Sequence, residues 1–294
     1  MRKPKGTPLR ESGNLRTTNS ARGRSAAIGV AIFAASRPRA GFHARIVSPF
    51  LTTTQQPLAL AVHSPMPYTP HESAEAVVLA PHAPATGAVI WLHGLGADGF
   101  DFVPIVNEMR LPESCALRFV FPHAKMRPVT INNGFVMRAW YDITGFGPER
   151  TEDAAGIRES AETVRQYIAR EVVGGVPEHR ILIAGFSQGG AIALHTALRH
   201  PQPLAGVLAL STYLPLPDTL AHEASAANRD TPIMMCHGQR DPIVPHGLGE
   251  ASRDFLQSMG YTVRWRSYPM EHQVCMEEVV DIADWLKSRL AVDG

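Results

Sequence analysis

From residue 74 onward, apolar positions follow two alternating rhythms. Unbroken apolar runs at residues 76–79, 88–92 (AVIWL), 181–184 (ILIA), 206–210 and 233–236, with the stretch 117–121 broken only by Arg118, predict short strands, most of them buried on both faces. Residues 263–268 predict one more. Between these runs the apolar spacing changes to three and four. Ile157, Ala161, Val164 and Ile168 share one face of a predicted helix, with Thr151 or Asp153 as its cap. Ile192, Leu194, Ala197 and Leu198 place another helix directly after the run at 181–184. Shorter helices are predicted at 102–109 and 249–259. A last one, about 276–290, turns Val279, Val280, Ala283 and Leu286 inward. The stretch from Pro122 to Asp142 reads as loop. Strands alternating with helices imply the α/β class: one domain, residues 74–294, with a mostly parallel central sheet and helices on both faces.

Residues 1–73 carry no such rhythm and are expected to be a disordered extension. Ten of the 28 Lys/Arg residues but only one of the 27 acids, Glu11, fall within residues 1–65. One apolar run, residues 26–35, follows Arg22 and Arg24. A secretory signal and an Arg- and Ser-rich transit peptide are both compatible with this text. A third explanation is favoured: that residues 1–65 are not native sequence and Met66 is the true start. The remaining chain is net acidic, which argues against nucleic-acid binding. No apolar run approaches the length of a membrane span, so stable insertion is not expected. Cys115, Cys236 and Cys275 form no metal-ligand spacing, and three cysteines in 294 residues fit reduced thiols in the cytoplasm.

In a parallel sheet, ligands bind beyond the carboxyl ends of the strands. The polar residues that directly follow strands are the loop 93–96, Ser187, Ser211, Asp241 and His272. Ser187 is the centre of Gly185-Phe186-Ser187-Gln188-Gly189, a G-x-S-x-G between a strand and a helix. So sharp a turn strains the middle residue and exposes its Oγ, and the flanking glycines avoid collisions. The competing view is a Gly-rich turn with a passive serine. A serine nucleophile needs a base, and the base needs an acid to orient it. His272 lies in a loop after the last strand and Asp241 follows a buried one. His195 and His200 sit on the helix after the turn and point away from its start. His237 sits beside the acid, where packing or a hydrogen bond accounts for it, and Asp218 and Asp230 lie in a polar linker. The oxyanion of a tetrahedral intermediate needs two preorganised donors: the N–H groups of Gln188 and Leu95 are the candidates, with His93 bracing the second loop.

Six blocks carry a resemblance: LHGLGADG (92–99), RAWYD (138–142), GFSQGGAIAL (185–194), LSTYLP (210–215), HGQRDPIVP (237–245) and EHQV (271–274). Together they resemble the carboxylesterase and acyl-protein thioesterase family, also described as phospholipase/carboxylesterase, over about residues 74–290. The Ala97-Asp98 variant looks like its bacterial carboxylesterase branch. The resemblance implies an α/β-hydrolase without cofactor or metal, with Ser187, Asp241 and His272 as catalytic triad and Leu95 and Gln188 as oxyanion hole. It implies cleavage of acyl esters and sometimes thioesters. The N-terminal extension departs from the family pattern and leaves localisation open. Leu95, Trp140, Phe146 and Leu214 are candidates to line an apolar acyl pocket, though each equally fits the core, and residues 145–148 are a candidate flap. The main expectation is a serine esterase for short to medium acyl chains. Its alternatives are an acyl-protein thioesterase or lysophospholipase for long chains, and a non-catalytic binding protein. The expected partner is an acyl ester or acylated substrate, with a homodimer left open.

Overall fold

A computed structural model describes residues 68–112, 114–145 and 152–290. The chain enters a sheet through β1 (Tyr68–Glu72), β2 (Ala76–Pro81) and β3 (Gly87–Leu92), followed by the short helix α1 (Val103–Glu108) and β4 (Leu117–Pro122). A hairpin, β5 (Met126–Val129) and β6 (Phe135–Arg138), stands apart from that sheet. Then come α2 (Ala154–Val173), β7 (Ile181–Phe186), α3 (Gln188–Ala197), β8 (Gly206–Leu210) and α4 (Pro217–Glu223). The last elements are β9 (Ile233–Gly238), α5 (His246–Ser258), β10 (Val263–Tyr268) and α6 (Met276–Leu290). The eight strands of the main sheet lie in the order β1-β2-β4-β3-β7-β8-β9-β10. β2 runs antiparallel to β1 and β4, and every pair from β4 to β10 is parallel.

The unbroken apolar runs follow from this layering. Along β3, Ala88, Ile90 and Leu92 face one core, while Val89 and Trp91 face the other. Ile181 and Ile183 alternate in the same way with Leu182 and Ala184 on β7. Helices α2 and α3 cover the first core, through residues such as Ile157, Val164, Ile192 and Leu194. Helices α1 and α6 cover the second, through Ile105, Val106, Val279, Ile282 and Leu286. A strand sandwiched between two helical layers has no face left for polar residues.

Four expectations are corrected, one of them the inward face of α6, from which Val280 points out to solvent. The domain begins ahead of residue 74, because Tyr68–Glu72 pairs along β2, and Tyr68 packs edge-on against Phe119 with ring centroids 5.7 Å apart. Residues 1–67, with the readings offered for them, lie outside the described residues. The stretch taken as loop contains the hairpin β5–β6, turned by Asn133 (φ 55) and Gly134 (φ 76). The polar linker after β8 contains α4, opened by Pro217. Asp153 is the observed cap of α2, its Oδ1 accepting the Gly156 N–H at 2.9 Å. Thr151 lies outside the described residues.

Candidate active site

The carboxyl ends of β3, β7, β8, β9 and β10 lie side by side in the sheet, with Leu92 opposite Gly185, Phe186 opposite Leu210, and Gly238 opposite Tyr268. The loops that leave these ends are therefore neighbours. Ser187, the first residue beyond β7, has φ 54 and ψ −120, a conformation costly for a residue with a Cβ. Its N–H donates to Leu210 O at 2.8 Å, and its own carbonyl accepts the Thr212 hydroxyl at 2.6 Å. The flanking glycines have steric reasons. A Cβ on Gly185 would collide with the backbone of Gly189, and one on Gly189 with the backbone of Leu92 and His93. Gln188 is the first residue of α3, so its N–H has no partner within the helix.

Asp241 and His272 come together from the loops after β9 and β10. His272 Nδ1 is 2.7 Å from Asp241 Oδ2, while Oδ1 accepts the N–H groups of Ile243 (2.8 Å) and Val244 (2.9 Å). Burial alone would raise the Asp241 pKa. The hydrogen bond and charge of His272, with the two backbone donors, outweigh it and hold the carboxyl below its usual range. The two loops are also tied by backbone, from Gln239 N–H to Tyr268 O (2.8 Å) and from Arg240 N–H to Met270 O (3.0 Å). The His272 ring lies 4.6 Å from that of Phe186, the neighbour of Ser187, and is only partly buried.

The loop after β3 closes the third side. A Cβ on Gly94 would lie 3.6 Å from Ser187 Cβ, which places this loop against the serine. Leu95 is half-buried at its tip, and the Gly96 N–H donates to Arg138 O at 2.9 Å. His93 is buried, with Nδ1 2.7 Å from Gly94 O and Nε2 accepting the Ala124 N–H at 3.0 Å. Burial pulls its pKa down to about 4, so the ring is neutral and serves as a brace. Trp140 and Leu214 belong to the buried core, the alternative that sequence left open for each. The Trp140 indole N–H donates to His93 O at 2.8 Å, and the Leu214 N–H donates to Ser252 Oγ at 2.9 Å. Phe146, with most of the candidate flap, lies outside the described residues.

One role went unread in the sequence. The Gln188 side chain accepts the Trp140 N–H at 2.8 Å and donates to Tyr141 O at 2.7 Å. A continuous set of bonds thus runs from α3 through Trp140 to His93 and the loop of Leu95. The polar Gln188 directly behind Ser187, buried at a helix start, was the available signal. Among the described residues, no group of three or more His, Cys, Asp or Glu side chains converges as a metal would require.

A mostly parallel sheet of this order, with a strained serine at a strand–helix turn and an Asp–His pair on neighbouring loops, defines an α/β-hydrolase. Residues 73–290 match the phospholipase/carboxylesterase family. An acyl-protein thioesterase 1 of Neurospora crassa is 41% identical over 214 residues, 70% of this chain and 87% of that protein. Among solved structures, SOBER1 of Arabidopsis thaliana is 32% identical with a TM-score of 0.66, over 69% of this chain and 99% of that one. Acyl-protein thioesterase 2 of Zea mays is 28% identical with the same TM-score, over 73% and 98%. The chain belongs to the phospholipase/carboxylesterase family and is a hydrolase of carboxylesterase type.

Proposed function

We propose that the chain hydrolyses acyl esters of short to medium chain length through an acyl intermediate on Ser187. The observation that carries this reading is the Asp241–His272 pair at 2.7 Å beside the strained Ser187. His272 Nε2 takes the Ser187 proton as Oγ attacks the acyl carbonyl. Asp241 holds Nδ1–H and balances the imidazolium, and the same proton then passes to the departing alcohol. Water, deprotonated by His272, releases the acid and restores the serine. The N–H groups of Gln188 and Leu95 are the donors for the oxyanion. The three unpaired thiols, two of them buried, are compatible with a cytoplasmic setting.

The thioesterase relatives favour a second reading, in which the same serine cleaves S-acyl groups of long chain. Both use one chemistry, because a thiolate leaves from the tetrahedral intermediate as an alkoxide does. The full chain, wild type and Ser187→Ala, assayed on p-nitrophenyl esters from acetate to palmitate, separates them. Activity on short and medium chains, reduced by about 10⁴-fold or more in the variant, is the expected result. A profile peaking at palmitate, with turnover of an S-palmitoyl peptide, selects the thioesterase. Activity that survives in Ser187→Ala rejects the mechanism.

A further inference from the structure

Asp241 is held by a loop that folds back on its own carboxylate, and a single side chain grips the far side of that loop. His237, near the end of β9, has Nε2 2.8 Å from Val244 O and 3.6 Å from Asp241 Oδ2. Val244 is therefore held twice, its N–H on the Asp241 carboxylate and its carbonyl on the imidazole. The His237 ring is 1% exposed. Trp265 of β10 stacks on it with centroids 5.9 Å apart, and His246 of α5 meets it edge-on at 5.7 Å. Among the described residues its Nδ1 has no hydrogen-bond partner, and it faces Gly249 of α5, where a Cβ would collide with it.

These contacts assign the proton. A carbonyl only accepts, so Nε2 carries the hydrogen and Nδ1 the lone pair. Burial lowers the His237 pKa, against the opposing effects of the Val244 carbonyl and Asp241. The titratable groups that face it are Asp241, His246 from α5, and His272 from the loop after β10. An imidazolium at this point would compete with His272 for the charge of Asp241. A neutral ring leaves that charge to His272.

We propose that His237 is a positioning residue of the hydrolytic site: its Nε2–H clasps Val244 and so keeps Asp241 Oδ2 turned to His272. It acts through Asp241 and touches no substrate. This inference rests on the roles proposed above for Ser187, Asp241 and His272. A ring that only filled space would be replaceable by an apolar side chain without effect on the reaction.

The test uses the full chain with His237→Leu and His237→Gln, each normalised by active-site titration with a p-nitrophenyl phosphonate. Rates are measured from about pH 5 to about pH 9. In His237→Leu, kcat is expected to fall about tenfold with KM unchanged, and the acidic limb of kcat/KM to move down by about one pH unit. His237→Gln, whose amide N–H can reach the same carbonyl, is expected to restore kcat to within about threefold. Unchanged kcat per titrated site and an unmoved acidic limb in His237→Leu would overturn the proposal. If that variant does not fold, ¹⁵N NMR of the wild-type histidines decides. A ring protonated at Nε2 across the same pH range supports the clasp; a ring protonated at Nδ1 alone rejects it. Ser187→Ala is assayed alongside. Residual activity there removes the underlying mechanism, whereas an inactive Ser187→Ala beside an unaffected His237→Leu removes only the role of His237.

Discussion

Gln188 has two parts in the proposed site. Its backbone N–H is placed at the open end of α3, and its side chain ties α3 to the backbone of Trp140 and Tyr141. Trp140 passes the restraint on, through its indole N–H, to the carbonyl of His93. Replacing Trp140 by Phe keeps an aromatic ring in the core but removes that donor. Losing an oxyanion donor outright costs about a hundredfold or more; loosening the loop proposed to carry one should cost less. The expected outcome is a fall in kcat of about tenfold on a p-nitrophenyl ester, little change in KM, and about 1 kcal/mol of stability lost by denaturant titration. At this scale, much of the site was legible. Ser187, Asp241 and His272 stand out because each is a reactive polar residue close behind a strand. The partners of Gln188 and His237 were not legible. They depend on which backbone groups two loops present to one buried side chain, and residue type carries no record of that.

Among the elements, α6 holds an unusual buried acid. Glu278 lies in its first turn, wholly buried, near Cys236 and Asp281. Burial pushes its pKa up to about 8, so the carboxyl is protonated at neutral pH. The unfolded chain ionises near 4.5 and the folded one near 8, so the unfolded state sheds its proton first as pH rises. Stability is therefore fully present below about pH 4.5 and declines progressively up to about pH 8, by a few kcal/mol in all. Glu278→Gln keeps the shape and removes the titration. Its melting temperature should exceed the wild type's at pH 8 and approach it at pH 5, as calorimetry can measure. Elements differed in legibility for a related reason: burial writes the pattern. β3, β7 and β8 are apolar throughout because both faces are covered. The residues of β5 and β6 are largely exposed or half-buried, and Pro128 interrupts them, so neither rhythm appears. The Asn133-Gly134 pair, a strong hairpin signal, was the mark that remained.

For the molecule as a whole, the division of strand residues between two cores explains how one sheet supports so many adjacent loops. Six parallel strands, from β4 to β10 in the order of the sheet, end on the same side of it, and helices cover both of its faces. The element least visible in the sequence stands at the other extreme. β1 turns four of its five residues to solvent, and Pro70 weakens its strand character, yet it pairs along the length of β2. Were the chain cut at residue 74, where the apolar rhythm begins, β2 would become the border of the sheet. Its outer N–H and C=O groups would then be free to pair with the same border on another molecule. A fragment of residues 74–294 should therefore elute early and scatter light at concentrations where residues 66–294 stay dispersed. Five mostly polar residues, far from any chemistry, would thus govern whether the enzyme remains in solution.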